Sequence, residues 1–224
     1  VPANHSWEVG EEQKQSLSPT ADMLPVDDSI LKNTAKSLRL NKKRALLLGN
    51  QGLSQKSVEY ASAIAKATEA DLLCETFFPR LYRGAGEVKI NRIPYFAEVA
   101  IDFLASYDQI LLVGAKEPVG FFAYPDIPSK LTPSSCSIIK VASKHEDVEQ
   151  AVQDLYEDLS LKSRPRVDYS QGDRINSITL DEISVSQIIS EFLPENSIIS
   201  DEGITCSASL YAQTETAAPH DWLC

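Results

Sequence analysis

Short apolar runs alternate with segments of helical periodicity between residues 28 and 165. The runs are residues 45–48, 72–74, 110–113 and 138–141. Between the first two, Val58, Ala61 and Ala65 recur on one face of a 3.6-residue period, which predicts a helix. Strands that alternate with helices of this length predict right-handed crossovers and a parallel sheet covered on both faces. The fold class is therefore predicted to be α/β and Rossmann-like.

Further helices are predicted on either side of these strands. Asp27 to Ser29 offer an N-cap before Ile30 and Leu31. Another helix is predicted after Pro94 through Leu104, and a third from Val148 onward. With these helices the segment can close its own core.

Two polar, turn-rich stretches, at residues 9–25 and 163–181, divide the chain. The predicted organisation is an N-terminal end piece with linker at 1–27, a central Rossmann-like domain at 28–165, a linker at 166–180 and the start of another α/β domain at 181–224.

The C-terminal segment carries its own helix and strand signals. Val185, Ile188, Ile189 and Phe192 form a helical apolar stripe, residues 197–200 indicate a strand, and a further helix is predicted near Cys206. Parallel pairing needs a second strand after the crossover, and the pattern shows none. We therefore expect the segment from about Asp181 to be poorly packed by itself.

Composition excludes several classes of protein. The net charge of −11 argues against a nucleic-acid partner, which needs a basic footprint. No stretch approaches the roughly 20 apolar residues that span a bilayer. The four cysteines form no CxxC pair, so neither a zinc site nor a disulfide framework is predicted. We expect a reducing compartment, either the cytoplasm or an organelle interior.

Four stretches carry a resemblance to a known family. ETFFPRLYRGAGEVKINRIPYFAEVA at 75–100 and LLVGAKEPVGFFAYPDIPSKL at 111–131 resemble the central domain of acetolactate-synthase-like, thiamine-diphosphate-dependent enzymes, relatives of benzoylformate decarboxylase. ISDEGITCSASLY at 199–211, with PHDWL at 219–223, resembles the start of that family's diphosphate-binding domain. PANHSW at 2–7 resembles the last strand of its pyrimidine-binding domain.

The resemblance implies an enzyme that forms or cleaves a carbon–carbon bond beside the carbonyl of a 2-keto acid. Thiamine diphosphate and Mg²⁺ would lie between domains of two subunits, which implies a homodimer or tetramer. The catalytic glutamate belongs to the rest of the first domain, and the magnesium-binding GDG motif does not occur in this sequence. We therefore expect an incomplete enzyme that does not catalyse the parent reaction alone.

The family's cofactor contacts map onto the turn after the last predicted strand. By resemblance, Glu202, Gly203 and Thr205 approach the pyrimidine or the diphosphate of the cofactor. Gly203 would permit close approach, since it has no side chain. No residue of this chain is predicted to be catalytic, and none to ligate a metal.

GNQG at 49–52 stands where nucleotide-binding folds place a phosphate turn, and Glu75 stands where they place a ribose-binding acid. The full GxGxxG is absent, so an ordinary turn is favoured over a site for FAD or ADP.

Three other groups have both a functional and an ordinary interpretation. Arg80, Arg83 and Arg92 could bind a phosphate, although a solvated loop is favoured. His220 could face the parent active site, although a capping or surface role is favoured. The aromatic loop could serve an interface as readily as plain packing; its residues are Phe121, Phe122, Tyr124 and Pro125.

Two alternatives to an enzyme segment stay open. The first is a nucleotide-binding module that holds FAD or ADP in the central domain. The second is a non-catalytic oligomerisation partner of an intact enzyme.

Overall fold

The computed structural model describes residues 22–40, 42–162 and 179–224, together with residues 3 and 7. Of the strand predicted within residues 2–7, only residues 3 and 7 are described, and both are helical rather than extended. Most of the predicted linker at 166–180 lies outside the described residues.

A five-stranded parallel sheet forms the body of the molecule, in the order β4-β2-β1-β5-β6. Its strands are β1 (Arg44–Leu48), β2 (Asp71–Cys74), β4 (Asn91–Arg92), β5 (Gln109–Val113) and β6 (Ser137–Ala142). The predicted α/β fold class and all four predicted strands are confirmed. The sequence pattern missed β4, which has two residues.

Helices cover both faces of this sheet. They are α1 (Asp28–Leu38), α2 (Gln55–Thr68), α3 (Ala97–Leu104) and α4 (Val148–Asp158). Along β1, Leu46 and Leu48 belong to the core cluster shared with α1, α2 and α4, while Ala45 and Leu47 belong to the cluster shared with α3. Successive side chains of a strand point to opposite faces, so a strand buried on both faces is apolar throughout.

The ends of α1 show how local sequence sets helix limits. The side chain of Asp27, the predicted cap, accepts a hydrogen bond from the backbone N–H of Ser29 at 2.7 Å. Past the other end, the buried guanidinium of Arg44 donates to the backbone carbonyls of Leu38 and Leu40. Both contacts satisfy backbone groups that a helix leaves unpaired.

The C-terminal segment forms a second, three-stranded sheet that reaches back into the body. Its own elements are α5 (Glu182–Phe192), β7 (Ile198–Ser200), α6 (Ser207–Gln213) and β8 (His220–Leu223). β8 pairs parallel with β7, and antiparallel with β3 (Leu81–Arg83), which belongs to the body.

The expectation that β7 lacks a second strand is therefore wrong. The strand that pairs with it is only four residues long, and its buried residues, His220 and Trp222, alternate with half-buried ones. No continuous apolar run marks such a strand in the sequence.

The expectation of poor packing is wrong for one half of this segment. Trp222 is fully buried in the main core cluster, beside Phe78 and Leu81 of the body. The α5 stripe, by contrast, is open: Val185, Ile188 and Ile189 are 37–42% exposed and Phe192 is 74% exposed. None of the described helices has the length and apolar character needed to cross a membrane.

Candidate functional site

A cavity of about 690 Å³ lies between the body and the C-terminal segment. One wall is the loop that carries β3 and β4, together with Val99 and Phe103 of α3. The other wall is the turn after β7, including Gly203, and one side of α6, including Tyr211. The cavity thus adjoins the turn that the sequence singles out.

Arg83, at the end of β3, is a buried cation in the wall of this cavity. Its guanidinium donates to the Thr214 hydroxyl at 2.6 Å and to the Tyr211 carbonyl at 2.7 Å. The guanidinium carbon also lies 3.7 Å from the centre of the Tyr211 ring, a cation–π contact. Burial lowers the pKa of Arg83 because it disfavours the charged form.

A second arginine positions the turn after β7. Arg92 donates to the Asp201 carboxylate at 2.9 Å and to the Thr76 carbonyl at 2.7 Å, and only 4% of the Asp201 side chain is exposed. Asp201 in turn accepts from the backbone N–H of Gly203 at 3.0 Å. The start of the turn is therefore held to the body through one buried ion pair.

The three predicted cofactor contacts occupy different positions on this turn. Gly203 lines the cavity, while Glu202 and Thr205 are exposed and do not line it. A Cβ at Gly203 would meet Cys206 Sγ at 3.2 Å, a tight contact. This small residue thus keeps the turn close to the start of α6.

The GNQG turn is filled by the protein itself. A Cβ at Gly49 would lie 2.5 Å from the Glu75 carboxylate, and a Cβ at Gly52 would clash with the Val113 carbonyl. Glu75 accepts from the backbone N–H of Lys116 at 3.0 Å, and burial raises its pKa. These close contacts explain why both positions are occupied by glycine, which has no Cβ.

The structure corrects the favoured interpretation of the arginine group. Only Arg80 lies on a solvated surface, where it pairs with Asp221 at 2.7 Å and is 67% exposed. Arg83 and Arg92 lie in the wall of the cavity instead. The two glycines beside Arg83 adopt positive φ angles, 128° at Gly84 and 84° at Gly86, a backbone region open to glycine.

The favoured capping or surface role for His220 is also wrong. Its ring is completely buried, and Nδ1 lies 2.8 Å from the Ala218 carbonyl. The Nε2 atom has no hydrogen-bond partner among the described residues. Burial lowers the pKa of His220, because it disfavours the charged form of the imidazole.

The aromatic loop forms a cluster with Phe77, which follows β2, and with Tyr95, which follows β4. Phe121 stacks on Tyr95 with ring centres 5.7 Å apart and contacts Phe77 at 5.1 Å. Phe121, Phe122 and Tyr124 are 46–57% exposed. An interface role for this cluster stays a prediction.

Metal ligation has no candidate in the described ranges 22–40, 42–162 and 179–224. No group of three or more His, Cys, Asp or Glu side chains there could hold a metal ion.

Comparison with known proteins supports the resemblance seen in the sequence. No model of a protein family matches the chain. It is 32% identical over 223 residues to a candidate acetolactate synthase large subunit, IlvX, of Mycobacterium tuberculosis. The sequence of this chain is thus similar to that of an acetolactate-synthase-like protein. The match covers the whole chain but 42% of that relative, so the chain spans less than half of its length.

Solved structures show the same fold at low sequence identity. A thiamine-diphosphate-dependent 4-hydroxybenzoylformate decarboxylase of Rhodococcus jostii has a TM-score of 0.65 at 14% identity, over 92% of this chain and 42% of its own. The benzoylformate decarboxylase of Polynucleobacter necessarius has a TM-score of 0.65 at 12% identity, over 98% and 44%. A candidate thiamin-diphosphate-dependent enzyme of Mycobacterium smegmatis has a TM-score of 0.63 at 15% sequence identity. The match covers 95% of this chain and 44% of that enzyme.

Tyr211 is the site residue that sequence reasoning missed. Its ring meets Arg83 and Trp222, and its hydroxyl donates to the Ile90 carbonyl at 3.1 Å. The available signal was its position: it lies four residues after Ser207, one helical turn into the predicted helix near Cys206.

Proposed function

We propose that this chain supplies the central domain and the first part of the diphosphate-binding domain of a thiamine-diphosphate-dependent lyase or synthase. Its substrate would be a 2-keto acid, cleaved or joined at the bond beside the carbonyl. The observation that supports the proposal most is the 32% identity to a candidate acetolactate synthase large subunit, which runs through the turn at 201–205.

In this proposal the turn at 201–205 faces the cofactor. Glu202 and Thr205 are exposed, whereas the carboxylate of Asp201 already accepts hydrogen bonds from Arg92 and from the backbone N–H of Gly203. The turn follows the carboxyl end of β7, the position at which α/β sheets bind ligands. The thiamine supplies the ylid chemistry when it is bound, and the protein positions it.

The charge of the turn favours one end of the cofactor. The exposed Glu202 carries a carboxylate, and the like charge of a carboxylate and a diphosphate disfavours their direct contact. Its carboxylate and the Thr205 hydroxyl can both accept hydrogen bonds from an amino group. We therefore assign the turn to the aminopyrimidine end, and the Mg²⁺ ligands to sequence that this chain does not contain.

The proposal is tested by NMR titration of the chain with thiamine diphosphate and Mg²⁺. Weak, millimolar binding is expected, because one turn provides few contacts, and the amide shifts should concentrate at 201–205. Thr205→Val should reduce them, while Thr216→Val, outside the turn, should not. Shifts confined to other regions, or none at millimolar cofactor, would contradict the assignment.

The same titration separates this function from nucleotide binding. ADP or FAD should leave the amides of 49–52 unshifted, since Glu75 and the chain around Val113 already fill that turn. Saturable shifts there would favour a nucleotide-binding module.

Assembly as a homodimer or tetramer also belongs to this proposal, with the aromatic cluster of Phe77, Tyr95 and Phe121 as its interface.

A further inference from the structure

The pairing of β3 with β8 buries two basic side chains opposite each other. In the register of this antiparallel pair, Arg83 of the body lies opposite His220 of the C-terminal segment. His220 is completely buried, and Arg83 is 7% exposed. The pairing joins the sheet of the C-terminal segment to a strand of the body, so the charge of either side chain acts on the docking of the segment.

The surroundings of the His220 ring suit its neutral form only. Nδ1 lies 2.8 Å from the Ala218 carbonyl, which can only accept a hydrogen bond, so Nδ1 carries the hydrogen of the neutral ring. A second proton would go to Nε2, which has no hydrogen-bond partner among the described residues. The neighbouring Trp222 ring, with its centre 6.3 Å away, offers an N–H donor and no acceptor. The charged form would therefore bury an N–H without a partner, which is unfavourable.

The nearest charged groups also disfavour protonation of the ring. The described hydrogen bonds of Arg83 go to the Thr214 hydroxyl and the Tyr211 carbonyl, which carry no charge to offset the guanidinium. Asp221, the next residue of β8, is already paired with Arg80 at 2.7 Å. Burial and the charge of Arg83 therefore lower the pKa of His220, and the Ala218 carbonyl and Asp221 oppose them only in part.

The other elements packed against β8 supply no unpaired carboxylate to the ring. The residues of β7, Ile198–Ser200, are uncharged, and Glu195 before this strand is exposed. On α6, burial raises the pKa of Tyr211, so its hydroxyl stays neutral. Glu215, in the short turn after α6, is paired with Lys89 at 2.9 Å.

We propose that the pairing of β3 with β8 is pH-sensitive, such that protonation of His220 weakens the docking of the C-terminal segment on the body. Separation of the two strands exposes both basic side chains to water, which stabilises their charged forms. The open form gains its proton at the ordinary histidine pKa of 6.5, and the docked form only at a lower pH. The docked form therefore keeps its stability above pH 6.5 and loses it as the pH falls below that value. Docking needs neither thiamine diphosphate nor Mg²⁺, so this property goes beyond the proposed function.

The test is amide hydrogen exchange of the chain at pH 8 and pH 5, with each rate divided by the rate of an unstructured amide at the same pH. The protection of the β8 amides should fall about threefold to thirtyfold, the upper limit being set by an exposed histidine of pKa about 6.5 in the open form. The amides of β5, which is buried in the body, should keep their protection within about twofold. Unchanged protection of β8, or an equal fall for β5 and β8, would overturn the proposal.

Two substitutions of histidine locate the effect. His220→Gln places a polar side chain that cannot gain a proton, so the β8 amides should have the same protection at both pH values. His145→Gln removes an exposed histidine of the body and should leave the pH dependence as in the unsubstituted protein. An undiminished pH dependence in a folded His220→Gln protein would contradict the proposal.

The unsubstituted protein provides a second measurement that does not depend on the folding of a variant. In an NMR titration of the imidazole protons, His220 should titrate below the ordinary pKa of 6.5. Titration of His220 at or above 6.5 would overturn the proposal. A failure of the thiamine diphosphate titration would leave it standing, because no cofactor is present in these experiments.

Discussion

The body at 28–162 and the C-terminal segment at 179–224 both alternate helices and strands, but they bury these elements to different extents. In the body, every residue of β1 and β5 is buried, and helices cover both faces of the sheet. In the C-terminal segment, the ends of β7 are exposed and the α5 stripe is open to solvent. Of the C-terminal segment, Trp222 belongs to the core cluster of the body, and the partly buried residues that pack against this cluster are Ile199, Leu210, Tyr211 and Cys224.

The difference shows that a shared local pattern does not imply shared stability. The sheet of the body is covered by the body's own helices, whereas the C-terminal segment depends on β3 and on the core cluster that holds Trp222. The turn proposed to face the cofactor is held to the body by the ion pair between Arg92 and Asp201.

The largest expected effect is that of Trp222→Ala. A large aromatic removed from a well-packed core costs about 3–5 kcal/mol of unfolding free energy. Ile189→Ala, on the open face of α5, should cost about 0.5 kcal/mol or less, as surface substitutions do. Urea unfolding of the two variants measures both values. Equal costs would mean that β8 is not docked on the body.

The next effect concerns the ion pair that holds the turn. Arg92→Met leaves the Asp201 carboxylate buried without its cation and should cost about 3 kcal/mol, the lower end for a broken buried pair. Lys89→Met breaks the more exposed pair with Glu215 and should cost about 0–1 kcal/mol.

The double variant Arg92→Met/Asp201→Asn provides the control for this comparison. It should recover part of the loss, because the unpaired charge is removed. No recovery would argue that Arg92 acts through its apolar contacts rather than through the ion pair.

The fold of the body was predictable from sequence because its signals are local. β1, β2 and β5 each contain a run of consecutive apolar residues, as a strand buried on both faces needs. The edge strand β6 carries a shorter apolar pair, Ile138 and Ile139. The position of Asp27 likewise predicted the start of α1. Both inferences use neighbouring residues only.

The candidate site was less predictable because its contacts are distant in sequence. In the pairing of β8 with β3, Tyr82 lies opposite Asp221, which is 139 positions further along the chain. The burial of Arg83 depends on α6 and β8, which no pattern around residue 83 reveals. The turn at 201–205 was found by resemblance to a family, and the cavity beside it was not found at all.

The two regions are also expected to differ in the reactivity of their cysteine thiols, which is a smaller effect. Burial raises the pKa of Cys74, on β2, to about 12, whereas Cys206, before α6, is exposed. A thiol reagent at pH 8 should therefore modify Cys206 in the native protein and Cys74 only after unfolding. Native-state modification of Cys74 at the rate of Cys206 would show that β2 opens readily.

The raised pKa of Cys74 also predicts how the free energy of unfolding changes at high pH. The folded-state pKa is raised above the ordinary value of 9.0, so the contribution of Cys74 is present below pH 9 and is lost as pH rises toward 12. Cys74→Ala should flatten the decline in unfolding free energy over this range.

Amide hydrogen exchange tests the central claim most directly, namely that the C-terminal segment is docked through β8 and that the α5 face is not. We expect the amides of β8 that pair with β3 and β7 to be protected nearly as well as those of β5. The amides of α5 should exchange through local opening at much lower free energy. Exchange of β8 as fast as that of α5 would contradict the account, and the turn at 201–205 would lose the support on which the proposed function depends.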